Sequence, residues 1–264
     1  MSEQTKTSQR PADVYFFATC AVDQFFPGAG LDAITLLERQ GIRVHFPEEQ
    51  TCCGQPAYTS GFPDEARQVA AHQLTLFPEN WPVVIPSGSC AGMMKHHYPT
   101  LFAKDPARLL QAEALSGRIY EFTDFLVNVL GYQPEDKGGD CTVVLHTSCS
   151  ARREMGVHLT GRQLLGSLNK VTVAQQDHES ECCGFGGTFS IKQPEISGAM
   201  VEDKVKSLKA TGAERVISAD CGCLMNILGH AAWKDQQEGR SKPSLPGEHI
   251  ASFLLRRTEE RSGK

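Results

Sequence analysis

The chain has 264 residues, of which 40% are hydrophobic and 22% charged, as in an ordinary globular protein of one large domain or two of about 120 residues each. A formal charge of −5 argues against a nucleic-acid-binding protein, which would favour a basic face. No apolar run reaches the roughly 18 residues of a membrane span, and residues 1–10 lack the apolar centre of a signal peptide. We therefore expect a cytoplasmic protein, in which ten cysteines indicate metal or redox chemistry rather than disulfides.

The first half of the chain alternates apolar runs, typical of buried strands, with the periodic pattern of amphipathic helices. The predicted order is strand 14–18, helix 31–40, strand 42–46, helix 64–77, strand 81–85, a helix through Met93 and Met94, and a mostly helical stretch over 105–130.

The second half repeats this order after a stretch at 135–140 whose composition is typical of a linker. We therefore predict two duplicated domains, at 13–137 and 138–257. The predicted elements of the second half are strand 142–146, helix 158–168, strand 171–173, helix 194–210, strand 215–218 and a polar loop over 235–248.

Each half contains two adjacent cysteines followed by glycine, first at Cys52-Cys53-Gly54 and again at Cys182-Cys183-Gly184. Adjacent cysteines rarely pair with each other, because the bridge would be strained. Their thiolates favour soft metal ions such as zinc or the irons of an iron–sulfur cluster. The following glycine allows the backbone to approach such a centre closely. Two such motifs indicate two metal sites.

The other cysteines flank these motifs at a nearly constant period. Cys20 and Cys149 are 129 positions apart, and the paired cysteines are 130 positions apart. Cys90 is separated by 131 positions from Cys221 and by 133 from Cys223. This regularity indicates an internal duplication.

Alternating strands and helices predict an α/β fold of two tandem units, each a small, mostly parallel sheet with flanking helices. All the repeated cysteines follow predicted strands. Because sites in parallel α/β folds form beyond the carboxyl ends of the strands, we expect each half to build its own cysteine-lined site there.

The motifs resemble those of a known family, the cysteine-rich CCG-domain proteins, which include the B subunit of heterodisulfide reductase and the iron–sulfur subunit of glycolate oxidase. Within that family they are most similar to lactate utilization protein A, and the likeness covers roughly residues 13–256. The segments that carry it are Phe17-Ala18-Thr19-Cys20, Thr51-Cys52-Cys53-Gly54-Gln55-Pro56, Ser87-Gly88-Ser89-Cys90, Glu181-Cys182-Cys183-Gly184-Phe185-Gly186-Gly187 and Cys221-Gly222-Cys223-Leu224-Met225-Asn226.

The resemblance implies an iron–sulfur electron-transfer subunit of a system that oxidises L-lactate to pyruvate. It also implies an oxidoreductase subunit that is active only with two sister proteins, one of them a further iron–sulfur protein. Two centres of the 4Fe–4S type are implied. Their ligands would be Cys20, Cys52, Cys53 and Cys90 for the first centre and Cys149, Cys182, Cys183 and Cys223 for the second.

The chain departs from heterodisulfide reductase at one point, where that family has a fifth cysteine and this sequence has Met93 or Asn226. Four thiolates suffice for a cubane cluster, so the departure leaves the cluster type open. Cys221 remains an alternative to Cys223, because its repeat spacing is better, while Cys223 matches the local sequence around Cys90 better. We prefer Cys223.

Other residues have a structural interpretation beside the functional one. Cys141 has no counterpart in the first half and is expected to be a buried small hydrophobe. His146 is either a core histidine or a hydrogen-bond donor to a cluster sulfur. Arg152 and Arg153 either form a solvated face or hold a carboxylate. No catalytic group is identified, and a zinc-stabilised scaffold or a thiol–disulfide oxidoreductase remain alternative functions.

Overall fold

Each half of the chain folds into a sheet of four parallel strands with helices packed on it. The computed structural model describes residues 10–259, so the polar stretch 1–10 lies outside the described residues except for Arg10. Within that range the strands are β1 Asp13–Phe16, β2 Arg43–His45, β3 Val83–Ile85, β4 Ile119–Glu121, β5 Cys141–His146, β6 Val171–Ala174, β7 Arg215–Ser218 and β8 Gly247–His249.

The two sheets have the same topology. The first has the order β2-β1-β3-β4 and the second β6-β5-β7-β8, so β1 and β5 are equivalent inner strands. Every pairing is parallel: Phe16 lies opposite Val84 in the first sheet, and His146 lies opposite Ser218 in the second. The carboxyl ends of the strands therefore meet at one edge of each sheet. The predicted fold class is confirmed.

Helices connect the strands, and three short segments adopt the wider π-helical geometry. These π-helical segments are Met93–His97, Phe125–Val129 and Ala151–Met155. The α-helices are α1 Cys20–Phe25, α2 Pro27–Arg39, α3 Gln55–Thr59, α4 Pro63–Gln73, α5 Gly88–Gly92, α6 Tyr98–Leu101, α7 Pro106–Ser116, α8 Phe122–Asp124, α9 Val157–Gly166, α10 Phe189–Lys192, α11 Pro194–Ala210, α12 Cys221–Gln237 and α13 Ile250–Thr258. None of the helices in the described range is long and apolar enough to cross a membrane.

The sequence prediction missed the fourth strand of each sheet. β4 interrupts the stretch 105–130 that was expected to be mostly helical, and β8 lies at the end of the stretch expected to be a loop. The helix α12 continues to Gln237, into the stretch 235–248 that was expected to be a loop. Neither missed strand is an apolar run like Val83–Ile85, because β4 ends in Glu121 and β8 is Gly247–His249. Pairing with the inner strands β3 and β7 defines them.

The two halves share one hydrophobic core. α13, at the end of the second half, packs against α2 of the first. The buried cluster on this side joins Phe16 and Leu36 of the first half to Val143, Leu145 and Phe253 of the second. Burial of this shared apolar surface holds the two sheets together.

The predicted linker is anchored by a buried ion pair. Asp136 pairs with Arg257 at 2.6 Å, and the two side chains are only 1% and 4% exposed. The same carboxylate accepts hydrogen bonds from the backbone N–H groups of Gly138 and Lys170. The connection between the halves is therefore tied to α13 rather than loose.

A glycine allows the halves to approach closely at one further point. Gly88, at the start of α5, faces the π-helical segment Ala151–Met155. A Cβ atom at this position would lie 2.4 Å from the Ala151 Cβ and 2.8 Å from a Val157 methyl group. Real carbon atoms do not approach so closely, so no larger side chain fits here without a shift of the backbone.

We expect Gly88→Ala to lower the free energy of unfolding by about 1–3 kcal/mol, because overpacking forces the two halves apart. The measurement is urea denaturation of both proteins at equal metal content. Gly28→Ala in α2 is the matched control, because no described atom outside its own stretch of helix lies within 4 Å of the added Cβ. A Gly88→Ala protein as stable as the Gly28→Ala protein would contradict this description of the contact.

Candidate metal centres

The cysteines predicted as ligands follow the strands in the same way in each half. Cys20 begins α1 just after β1, and the Cys52–Cys53 pair follows β2. Cys90 is the third residue of α5, the helix after β3. In the second half, Cys149 follows β5, Cys182 and Cys183 follow β6, and Cys223 is the third residue of α12, after β7.

In the first half, the four sulfurs form a continuous chain of contacts. Cys52 accepts hydrogen bonds from the thiols of Cys20 and Cys53, which lower the pKa of Cys52 to about 3. Cys53 in turn contacts Cys90. The pKa values of Cys20 and Cys53 are raised because each donates its proton to Cys52. Four thiols linked in this way supply the soft ligands that zinc or the irons of an iron–sulfur cluster prefer.

The second half repeats this chain with Cys149, Cys182, Cys183 and Cys223. Hydrogen bonds from Cys149 and Cys183 lower the pKa of Cys182 to about 2. The sulfurs of Cys183 and Cys223 are 3.2 Å apart. The structure thus brings Cys223, rather than Cys221, beside the cysteine pair.

Cys221 occupies a different place. Its side chain is buried at the start of α12, close enough to Asp220, Cys90 and Cys223 to interact with them electrostatically. Burial, and then the Asp220 carboxylate, raise the pKa of the Cys221 thiol, which keeps it neutral. Cys223 and Cys90 are both the third residue of their helices, so Cys223, and not Cys221, is the structural counterpart of Cys90.

A left-handed glycine shapes the turn at each cysteine pair. Gly54 has φ of +85° and Gly184 has φ of +83°, a conformation that side chains with a Cβ rarely adopt. In each case the glycine N–H donates to the sulfur two residues earlier, at 3.4 Å for both Cys52 and Cys182. The glycine of the motif therefore turns the chain and also donates a hydrogen bond to a sulfur.

Different side chains hold the backbone of the two cysteine pairs. The Tyr98 hydroxyl donates to the Cys53 carbonyl at 2.9 Å, and the Asn226 amide donates to the Cys183 carbonyl at 2.7 Å. Asn226 stands where heterodisulfide reductase has a fifth cysteine, so this structure gives that position a supporting role. Sequence reasoning did not find Tyr98, because 45 residues separate it from Cys53.

His146 lies against the second cysteine set. Its side chain is fully buried, and full burial lowers its pKa to about 3, so the ring is neutral. A ring nitrogen and the sulfurs of Cys183 and Cys223 all lie within 4.8 Å of one another. Among the described residues, neither ring nitrogen has a hydrogen-bond partner. A buried polar group without a partner indicates that a further group belongs at this site.

Both cysteine sets line one cavity of about 630 Å³ between the two halves. Its wall also carries Arg153, which is exposed, and the pair His97 and Glu154, 3.3 Å apart. Asp220 closes the cavity between the sets: one carboxylate oxygen accepts from the Ser87 hydroxyl at 3.1 Å and from the Ser89 N–H at 3.0 Å. This bridge from the second half to the first was not predicted from the sequence.

The remaining candidates lie outside the two sets. Cys141 is half-buried at the start of β5, where its sulfur is 3.6 Å from an Arg257 nitrogen, so it is less buried than expected. Arg152 pairs with Glu179 at 2.6 Å rather than facing the cavity. All ten cysteines lie within the described residues and are free thiols. Among the described residues, the sulfurs of both sets, and the unpartnered His146 nitrogens beside the second set, fit the binding of a soft metal centre.

Comparison with known proteins gives three findings. The cysteine-rich CCG-domain family matches residues 14–95 and 143–228. The chain is 47% identical over 244 residues to "Lactate utilization protein A 1" of Bacillus mycoides, covering 91% of this chain and 96% of that protein. It is 44% identical over 223 residues to "Lactate utilization protein A" of Bacillus subtilis, covering 84% of this chain and 93% of that protein.

Among solved structures, a hypothetical protein from Helicobacter pylori superposes with a TM-score of 0.68 at 10% sequence identity. The match covers 96% of this chain and 50% of that chain, so the present chain spans half of the solved one. At this level of identity the similarity concerns the fold alone.

We expect Gly184→Ala to destabilise the protein by about 2–5 kcal/mol, because a Cβ there would be 2.7 Å from the Ser197 carbonyl oxygen in a left-handed turn. Urea denaturation of the metal-free proteins measures the effect. Gly41→Ala, with φ of +77° and no atom within 4 Å of the added Cβ, measures the conformational strain alone, about 1–2 kcal/mol. Equal losses in the two variants would show that the Ser197 contact is unimportant.

Proposed function

We propose a function on the basis that the chain belongs to the cysteine-rich CCG-domain family, with lactate utilization proteins A among its relatives. The proposal is that the chain is an iron–sulfur electron-transfer subunit of a system that oxidises L-lactate to pyruvate. The names of these relatives support a role in lactate utilization. The observation that carries the electron-transfer part is the pair of four-sulfur sets beyond the carboxyl ends of the strands.

In this proposal each half, at 13–137 and 138–257, holds one 4Fe–4S centre through four thiolates. The ligands are those predicted, and they include Cys223 rather than Cys221 because the Cys223 sulfur lies 3.2 Å from that of Cys183. The protein residues supply the ligands, bury the inner sulfurs of Cys53 and Cys183, and hold the glycine turns. The centres, when bound, take up and release single electrons.

The proposal assigns the lactate-oxidising step to partner proteins. Removal of two electrons from a 2-hydroxy acid needs an acceptor group that the motifs of this chain do not supply. We therefore propose that the chain is an oxidoreductase subunit, active only with two sister proteins, one a further iron–sulfur protein. We place it in the cytosol, a reducing compartment in which its ten free cysteines stay available as ligands.

A second candidate function has its own supporting observation. Because both cysteine sets line the same cavity, a disulfide substrate of suitable size would reach both centres at once. Reduction of that disulfide takes two electrons and two protons, and the electrons would arrive one from each centre. Consumption of a low-molecular-weight disulfide by the isolated, reduced protein would favour this thiol–disulfide function over electron transfer between proteins.

We expect the anaerobically purified protein to contain about eight irons and eight sulfides per chain, as two four-iron clusters require. Elemental analysis and electron paramagnetic resonance spectra with and without dithionite measure this. Cys52→Ser should remove the first centre and spare the second, and Cys182→Ser should do the reverse, because separate ligand sets build them. Stoichiometric zinc without iron, persisting after anaerobic reconstitution, would replace this proposal with a zinc scaffold.

Two further substitutions test the choice of ligand in the second half. Cys223→Ser should remove the second centre, while Cys221→Ser and Cys141→Ser should keep both, because the Cys221 and Cys141 sulfurs lie outside the contact chains. Loss of the second centre in Cys221→Ser alone would reverse the assignment.

We expect a host strain that lacks this gene to lose growth on L-lactate and to regain it with the intact gene. The double variant Cys52→Ser, Cys182→Ser should fail to restore growth, because neither centre can transfer electrons. Growth on lactate against growth on glucose is the measurement, with Cys141→Ser as the matched control. Full restoration of growth by the double variant would contradict the electron-transfer role.

A further inference from the structure

The two halves differ at one buried position beside the cysteine sets. Phe17 and His146 each stand three residues before the first cysteine of their set. Phe17 directly follows β1, and His146 ends the equivalent inner strand β5. Both side chains are fully buried. Phe17 packs in the apolar cluster that contains Cys53 and Cys90. The first site therefore has hydrocarbon where the second has an imidazole.

The His146 imidazole faces the second cysteine set. One nitrogen lies within 4.8 Å of the sulfurs of Cys183 and Cys223, and the ring is close enough to Cys182 to interact with it electrostatically. Within residues 10–259 both ring nitrogens lack a hydrogen-bond partner. A histidine kept for packing alone would have its N–H paired, because an unpaired buried donor is unfavourable.

The neighbouring cations are already engaged elsewhere. Lys204 donates to the His178 carbonyl at 2.7 Å, and Arg152 pairs with Glu179. Four cysteines already supply the thiolates that a cubane cluster needs, so His146 is not required as a fifth ligand. What His146 adds is an N–H group directed at the sulfur-rich space.

We propose that His146 donates a hydrogen bond to a sulfur of the second centre and gives that centre a higher reduction potential than the first. This inference rests on the proposed iron–sulfur function. Reduction adds negative charge to the cluster, and an N–H···S hydrogen bond stabilises the more negative state, which raises the potential. Phe17 gives the first centre no such donor. Electrons therefore collect at the second centre, and transfer within the chain runs from the first half to the second.

We expect His146→Phe, which copies the first site, to lower the midpoint potential of the second centre towards that of the first and to leave the first unchanged. Potentiometry of the full chain, followed by electron paramagnetic resonance, measures both centres. The Cys52→Ser and Cys182→Ser proteins assign each signal to its half. In the wild-type protein labelled with ¹⁵N-histidine, pulsed resonance should show a weak nitrogen coupling to the second centre, which His146→Phe removes.

Two variants guard against indirect effects. His146→Gln keeps an N–H donor and should keep more of the potential than His146→Phe. Phe17→Leu alters packing at the equivalent first site without adding a donor, so it should leave the second centre unchanged. If His146→Phe fails to assemble the second centre, the His146→Gln potential and the nitrogen coupling of the wild-type protein decide the question.

Three results would overturn the inference. The first is an unchanged second-centre potential in a His146→Phe protein that retains both centres. The second is a strong nitrogen coupling, which would make His146 a ligand rather than a donor to sulfur. The third is no histidine coupling at all. A wild-type protein without iron–sulfur centres would overturn the proposed function and this inference together, whereas two intact centres with unchanged potentials would overturn the inference alone.

Discussion

The crowding of four thiols in each half is the constraint on which the rest of the structure depends. Sulfurs this close cannot all ionise without a cation, and in both sets one cysteine, Cys52 or Cys182, carries the charge while its neighbours donate to it. The ligands come from three separate segments, so only the shared carboxyl edge of a parallel sheet can bring them together. Left-handed turns at Gly54 and Gly184 complete the approach.

The duplicated halves keep this geometry but not the residues that support it. A tyrosine holds one cysteine pair and an asparagine the other, through Tyr98 and Asn226. Ser87, which precedes α5, corresponds to Asp220, which precedes α12. The Ser87 hydroxyl donates a hydrogen bond to the Asp220 carboxylate and so links the two halves. The cysteine positions are thus alike in the two halves, whereas the residues that hold them differ.

Much of the fold was readable from the sequence, because apolar strand runs are local patterns, and the repeated cysteine spacing predicted that each half gathers its own cysteines beyond its strands. The equivalence of Cys223 with Cys90 needed the structure, since the two residues match by helix position and not by constant spacing. β4 and β8 were missed because neither is an apolar run, and their pairing with β3 and β7 defines them. Asp220 and Tyr98 were missed because their partners are distant in sequence. Nor could the sequence show that the His146 nitrogens lack partners among residues 10–259.

One chain with two unequal halves can do what two identical subunits cannot. In a symmetric dimer of one half, every residue beside the first centre would also stand beside the second, so Phe17 could not face one set and His146 the other. In such a dimer, the hydrogen bond between Asp220 and Ser87 would likewise have to form between two copies of the same residue. In a single chain, the shared core and the Asp136–Arg257 ion pair hold the two halves together, so both cysteine sets line one cavity. The residues around each set can nevertheless differ. A difference in potential between two neighbouring centres gives electron flow a direction, which two equal centres would lack.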